Sequence, residues 1–428
     1  MNQKFVSISG TDIEVTDNQA NELLQRYIGN LGFKPKKVLL IPPDFTRFHS
    51  DAGKLTTFLY EILAPVAEEI VVLPALGTHR PMTDKELTIM FPGIPKEIIR
   101  VHDWQHGLAT LGEIPESRLK ELSNGKIDYS VKVQINDMIV NSGFDLILSV
   151  GQVVPHEVIG MANGNKNILV GCAGLDTINK SHYLGAVANM EKIMGRVQSP
   201  VRDLLNEAED KFLNHLPIHY ILTVRAKNDN DELVTRGLFA GSSRETFEAA
   251  AELSKITNLV TVPPLKKVVV FLDPSEFKST WVGNKAIYRT RMAIDNNGEL
   301  LIIAPGLIEF GEAEVNEKMI RKYGYCGTPA TLKAVAEDPE LRNSLGAAAH
   351  LIHGSSEGRF SITYASGGLS QDEIRSVGFN AVDINKVLKK YNPDELKDGF
   401  NTLPDGEEIF YISNPALGLW HAEEIAPI

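Results

Sequence analysis

From about residue 36 the chain alternates short, β-branched apolar runs with longer segments whose apolar positions recur every three or four residues. That alternation is the pattern of βαβ units around parallel sheets. KKVLLIP (36–42), EIVVLPAL (69–76) and FDLILSVG (144–151) read as buried strands, each followed by Gly, Pro or polar residues. Thr83 with Glu86 three positions later predicts a capping box, which starts a helix directly after the GTHRP turn. A second series, KKVVVFLD (266–273), ELLIIA (299–304) and FSITYAS (360–366), alternates with helical stretches at 312–322, 328–336 and 382–391. The expected fold is α/β: two α/β domains with mainly parallel sheets and a ligand cleft between them. Pro263-Pro264 sets the boundary, because a proline pair stops a helix, giving domains of residues 1–264 and 265–405. EEIFYIS (407–413) fits either sheet, which leaves a return of 406–428 to the first domain open.

Composition narrows the picture. A chain of 428 residues exceeds the size at which one core keeps growing, which agrees with two domains. With 43 Lys and Arg against 55 Asp and Glu, the formal charge of -12 disfavours a phosphate backbone, so no nucleic-acid partner is expected. Cys172 and Cys326 stand far apart without CxxC spacing, so neither a disulfide framework nor a thiolate zinc site is supported. No run of about eighteen apolar residues occurs, and MNQKFVSISG lacks the layout of a signal peptide. The expectation is a cytoplasmic protein without a membrane partner.

In open parallel sheets ligands bind beyond the carboxyl ends of the strands, so the loops there come first. Asp44-Phe45-Thr46-Arg47 follows the first strand; an arginine beside a carboxylate and a hydroxyl suits an anionic group, or makes only a local turn and a surface ion pair. Gly77-Thr78-His79-Arg80-Pro81 follows the second and puts an imidazole, the side chain that titrates nearest neutrality, at a strand end, where capping or packing is the plain alternative. After the third comes Pro155-His156-Glu157 and then a Gly/Asn-rich turn leading to Lys166. Gly160 and Gly164 are separated by three residues and Asn165 precedes the lysine, so the Walker pattern fails. Lys166 is either a covalent anchor or a solvated loop lysine. His182, sixteen residues on, suits a borderline metal such as nickel, or simply packs. His102 and His106, like His215 and His219, have four-residue spacing but no HExxH motif, and His350 with His353 reads as packing. In the second domain Lys278 follows Asp273-Pro274-Ser275 and brings a positive charge to a strand end.

Jointly, DxTR at 44–47, GxHRP at 77–81, a PHExxG loop whose histidine precedes Lys166 by ten residues, and His182 resemble the nickel-pincer nucleotide-dependent lactate racemase family. The resemblance runs from Asp44 to His182, with a weaker extension through Lys278. It implies an isomerase that inverts carbon 2 of a 2-hydroxy acid by reversible hydride transfer through a 2-keto acid. The cofactor implied is a nickel-pincer nucleotide, a pyridinium thioamide and thiocarboxylate joined to Lys166, and His182 binds its nickel. His79 and His156 are then the acid/base pair. Arg47, Lys278, Asp44 and Ser275 contact the substrate, while Thr46 and Gly164 contact the cofactor. Cofactor-biosynthesis proteins are the implied partners. Phe45 and Phe48 stand where the family often has His and Pro, and Pro274 and Ser275 where lactate-preferring members tend to have Tyr and Gln. These departures point to a substrate larger or more polar than lactate, such as malate, an aryl-lactate or an aldonate. The competing readings are a zinc-type lyase or hydrolase and a non-catalytic small-molecule or cofactor-binding protein.

Overall fold

The computed structural model describes residues 5–230 and 232–426. The chain forms two compact units. The first comprises the described residues up to Ser181 together with Met194–Asn258, and the second His182–Ile193 together with those from Leu259 onward.

The first unit holds β1 (Phe5–Ser9), β2 (Lys37–Ile41), β3 (Glu69–Val72), β4 (Leu108–Ile114), β5 (Val131–Asn136), β6 (Leu146–Gln152), β7 (Pro155–His156), β8 (Gly160–Met161), β9 (Ile218–Lys227) and β10 (Leu233–Gly241). Six of these make one sheet in the order β1-β10-β9-β6-β2-β3. β9, β6, β2 and β3 run parallel, and β10 and β1 complete the other edge antiparallel. Alternate strand residues face opposite sides of a sheet. Val38 and Leu40 of β2, with Leu146, Leu148 and Val150 of β6, share one buried cluster with Leu23 and Leu24 of the helix Asp17–Gly29 and Leu55 and Leu59 of the helix Ala52–Leu63. Leu39 and Ile41 are equally buried on the other face, which is why β2 reads as an unbroken apolar run.

The strand order has one functional consequence. After β2 the chain crosses to β3 on one side, whereas after β6 it moves to β9 on the other, although β2 and β6 are neighbours. Their shared carboxyl end is a topological switch point, where loops part and leave a crevice for a ligand.

The second unit holds β11 (Leu259–Thr261), β12 (Leu265–Phe271), β13 (Ile294–Ala304), β14 (Ser361–Ser366), β15 (Asn380–Ala381), β16 (Gly399–Thr402), β17 (Glu408–Ile412) and β18 (Leu419–His421). Its sheet, β15-β14-β13-β12-β17-β16, is parallel except for the edge pair β16–β17. The α/β fold with parallel-rich sheets is as expected, and the capping box of Thr83 and Glu86 opens the helix Asp84–Met90.

The division of the chain differs from the one expected at Pro263-Pro264. β11, upstream of the proline pair, pairs with β18 and so joins the second unit. The described part of the 406–428 segment, to residue 426, does not return to the first sheet: β17 pairs with β12 and β18 with β11 inside the second unit. The insertion His182–Ile193 joins the second unit through Glu191, whose carboxylate meets Arg291 at 3.0 Å and Arg359 at 2.8 Å. Burial favours protonation of that carboxyl, but the two arginines outweigh it and hold it below its usual range. Among the described residues no helix is long and apolar enough to cross a membrane.

Candidate active site

Beyond β2, Pro42 accepts a hydrogen bond from the Ala75 N–H at 2.8 Å, which ties the ends of β2 and β3 together. Asp44 then precedes a 3-10 turn, Phe45–Ser50, and is only 4% exposed. A carboxylate so enclosed must be paired. It accepts hydrogen bonds of 2.6 Å from the Thr46 hydroxyl and 2.6 Å from His79 Nδ1. Burial pushes the carboxyl up, yet the bonds from His79 and Thr46 and the charge of Arg47 prevail and hold it below its usual value. An ionised carboxylate only accepts, so Nδ1 carries a proton and the Nε2 lone pair of the neutral ring is free for chemistry. The His79 side chain is 53% exposed, which leaves Nε2 reachable.

The His79 loop is fixed on its other side as well. Gly77 adopts φ +56°, and its N–H donates to the Gly171 carbonyl at 2.7 Å. Gly171 follows the short helix Lys166–Leu169, and a Cβ there would lie 2.7 Å from the Ala75 methyl, so only glycine allows these loops to meet.

The third loop supplies His156 and Lys166. Just beyond β6, β7 and β8 pair antiparallel, with Pro155 opposite Met161 and His156 opposite Gly160. Its Nδ1 accepts from the Val158 N–H at 3.1 Å, so the neutral ring carries its proton on Nε2. The Glu157 carboxylate lies 3.9 Å from the same Nδ1. Asn163 and Gly164 then take successive left-handed conformations, φ +66° and +63°. A Cβ on Gly164 would meet the Phe247 ring at 2.9 Å, so packing as well as backbone geometry requires a small residue there.

Lys166 follows immediately. Asn167 donates to the Ile41 carbonyl at 2.9 Å and to the Ser149 hydroxyl at 3.0 Å, one contact on β2 and one on β6. Lys166 is thereby seated at the switch point. Burial, first, and the charges of Arg47 and Arg202 push its amine down to about 8 against the opposing effect of Glu157 and Asp44. Among the described residues its Nζ forms no hydrogen bond or ion pair. It is an amine of the kind that attacks a carbonyl or thiocarbonyl carbon near neutral pH.

Asp44, Thr46, Arg47, His79 and Lys166 are thus brought within bonding or electrostatic reach of one another in the first unit, and Glu157 links His156 to the same set. His182 is half-buried in the helix Leu175–Val187 and falls in the second unit, as do Ser275 and Lys278. The Ser275 hydroxyl donates to Asp273 at 2.5 Å, and Lys278 is exposed. No group of three or more His, Cys, Asp or Glu that could hold a metal occurs among the described residues.

Two charged residues in this region escaped the sequence reading. Glu157 stood inside a quoted motif without a role; its signal is its place directly after a candidate catalytic histidine. Arg202 gave no local signal, because it sits in the first turn of the helix Pro200–Phe212 among the buried residues Val201, Leu204 and Leu205. His102 is structural: buried, it bonds the Ala173 carbonyl at 3.0 Å and the Asn136 amide at 3.2 Å.

Residues 21–195 match the family described as the lactate racemase N-terminal domain. A lactate racemase from Thermoanaerobacterium thermosaccharolyticum is 26% identical over 211 residues, covering 48% of this chain and 46% of that protein, so the match spans about half of each. Among solved structures, a structural-genomics protein from Thermotoga maritima superimposes with a TM-score of 0.80 at 22% identity, covering 97% of this chain and 100% of that one. The lactate racemase apoprotein from T. thermosaccharolyticum does so with a TM-score of 0.68 at 16% identity, covering 97% and 99%. At these identities the two structures speak for the fold, and the family match adds the domain that carries the motifs. Over residues 21–195, less than half of the chain but the stretch that carries the motifs, this protein is similar to the lactate racemase N-terminal domain.

Proposed function

We propose that the protein is a racemase or epimerase of a 2-hydroxy acid, using a nickel-pincer nucleotide attached to Lys166. One observation carries this reading: the buried Asp44 orients His79 beside Arg47 and an electrostatically depressed lysine amine, all at the β2–β6 switch point. The residues fit the group. Lys166 offers a nucleophilic amine for the tether, the left-handed turn at Asn163-Gly164 leads into it, and Thr46 lies beside Asp44. Because the pincer brings its own carbon and sulfur donors, one histidine completes the nickel, and the resemblance assigns that place to His182. When bound, the group supplies a carbon that takes hydride from carbon 2 and returns it.

The protein's own residues do the rest. Arg47 holds the substrate carboxylate, with Lys278 and Ser275 assigned to the same task by the family pattern. His79 takes the hydroxyl proton at Nε2, and Asp44 offsets the charge its ring acquires. His156 presents an Nε2–H to the substrate oxygen, and the Glu157 carboxylate is the acceptor for Nδ1 when that ring holds two protons. Inverting a carbon through a planar keto acid needs one proton carrier for each hand, and two histidines on separate loops supply them. The proposed substrates are malate-like, aryl-lactate-like or aldonate-like acids, and the cofactor-biosynthesis proteins are the proposed partners. The setting we propose is cytoplasmic, with no nucleic-acid or membrane partner.

The test is expression with and without the cofactor-biosynthesis proteins, then nickel quantitation, peptide mass analysis of Lys166 and a chiral screen of 2-hydroxy acids. The expected result is one nickel and one adduct per chain, with inversion only in the loaded protein. Inversion by protein with unmodified Lys166 and no nickel would overturn the reading.

A further inference from the structure

Arg202 is a large cation buried to 2% exposure in the first unit, and its hydrogen-bond partners are two backbone carbonyls and one side-chain oxygen of a single turn. One terminal nitrogen donates to the Asn163 carbonyl at 3.3 Å and to Asn165 Oδ1 at 2.6 Å. The other donates to the Met161 carbonyl at 2.7 Å and the Asn163 carbonyl at 3.2 Å. The guanidinium carbon lies 4.1 Å from the centre of the Phe247 ring, the ring that a Cβ on Gly164 would strike. Arg202 Nε has no hydrogen-bond partner among the described residues. Burying a guanidinium with one donor unmet is costly, so ordinary packing does not explain it. A planar fork that collects three acceptors from residues 161–165 does, because no other side chain satisfies that set at once.

The turn it collects leads directly into Lys166. Asn165, which accepts from Arg202, also donates to Asn206 at 2.8 Å and to Glu209 at 3.0 Å, so the residue before the lysine is held from two sides. Glu209 in turn accepts from the Tyr220 hydroxyl at 2.6 Å and from Arg244 at 3.2 Å. The groups facing Lys166 are Arg47, Glu157, Arg202 and Asp44. We propose that Arg202 is a positioning residue which, by gripping the Met161–Asn165 turn from beneath, sets the pose in which Lys166 presents its amine for covalent attachment. The inference rests on the reading of Lys166 as the cofactor tether. Without the grip, the two left-handed residues relax, the amine swings toward water and away from Arg47, and it behaves as an ordinary lysine.

The test is competitive acetylation of the apo-protein with trace acetic anhydride at pH 6 to 10, read on the Lys166 peptide by mass. In this probe reaction the amine lone pair attacks one carbonyl carbon, acetate leaves, and a proton passes to solvent. Wild-type Lys166 is expected to titrate with a midpoint of about 8. In Arg202→Met the midpoint should rise by about one pH unit or more toward the ordinary lysine value, leaving roughly tenfold less free amine at pH 7. Arg202→Lys, which keeps a charge without a fork, should also shift it upward. Arg202→Met also removes a charge that by itself lowers the amine, so the charge-retaining Arg202→Lys decides: a merely structural role would lower its melting temperature while leaving the Lys166 midpoint of the folded protein unchanged, and that outcome would overturn the proposal. If the Arg202 variants do not fold, Asn165→Ala decides: a smaller shift in the same direction supports the proposal, and an unchanged midpoint rejects it. Co-expression with the cofactor-biosynthesis proteins, run in parallel, separates the two ideas. Wild-type protein that never gains an adduct on Lys166 breaks the racemase reading, whereas equal adduct yields in folded wild type and Arg202→Met break this one.

Discussion

His79 and His156 leave the sheet from strands on either side of β2, yet they are held by unlike partners. His79 is half-exposed and gives its Nδ1 proton to a buried carboxylate, whereas His156 is more enclosed and takes a proton-bearing amide onto Nδ1. The neutral rings are therefore opposite tautomers, one offering a lone pair at Nε2 and the other an N–H. Charging His79 keeps every bond it has. Charging His156 breaks the bond from Val158 and calls for Glu157 instead. In the reading we propose, two residues of the same type, each in a loop beyond a strand of one sheet, take opposite halves of a proton relay because of what their Nδ1 atoms touch.

The largest expected effect comes from removing either ring. His79→Ala and His156→Ala should each lower turnover by about 10²- to 10⁴-fold. Because racemisation has an equilibrium constant of one, kcat/KM must fall equally in both directions for each variant, so steady-state rates cannot tell the rings apart. Single-turnover formation of the 2-keto acid can: His79→Ala should suppress it mainly from one enantiomer and His156→Ala mainly from the other. Equal loss from both hands in both variants would break the comparison. Next in size is Asp44→Asn, which removes a charge-assisted bond worth about 1.5–3 kcal/mol and should cost roughly 10- to 100-fold in turnover while leaving Lys166 modified. Loss of the adduct together with the activity would mean that Asp44 supports the loop rather than the proton.

Glu157→Gln sharpens the contrast from the other side. An acceptor is retained but the charge is lost, so activity should fall by only a few-fold, about what an exposed or partly screened pair is worth. A drop as large as that of Asp44→Asn would show that the two loops depend equally on their carboxylates. The smallest effect is on stability. Asp44 has a carboxyl held below its ordinary value, so it binds fewer protons folded than unfolded in that range. Its contribution is present at neutral pH and lost as the pH falls through the folded value, below about 4. Urea unfolding of wild type and Asp44→Asn should therefore differ at pH 7 and draw together as the pH falls below about 4, and a difference that does not shrink on acidification would contradict the ionised Asp44–His79 bond.

The legible parts of this molecule were those whose cause is local. The apolar runs that become β2, β3, β6, β12, β13 and β14, and the Thr83–Glu86 cap, depend on residues a few positions apart. The β9–β10 hairpin is not among the strands read from the sequence, because its pairing depends on partners across the sheet and not on either run alone. The DxTR, GxHRP and PHExxG motifs fall in the loops beyond β2, β3 and β6, but they do not tell which side chains meet. Asp44 and His79 are 35 residues apart, and Arg202 is 36 residues from the lysine it faces.

The sequence by itself determined most of the parallel strands, the loops that follow them and the residue types able to handle protons and amines, since these rest on short-range periodicity and side-chain chemistry. Only the tertiary structure decided that β6 lies beside β2, that the insertion bearing His182 belongs to the second unit, and that a buried arginine underlies the Lys166 turn. Strand order follows from covering both sheet faces at once, and the state of each ionisable group from how much water its neighbours remove and what charge they set beside it. Neither is fixed by a residue and its near neighbours, so neither is written along the chain.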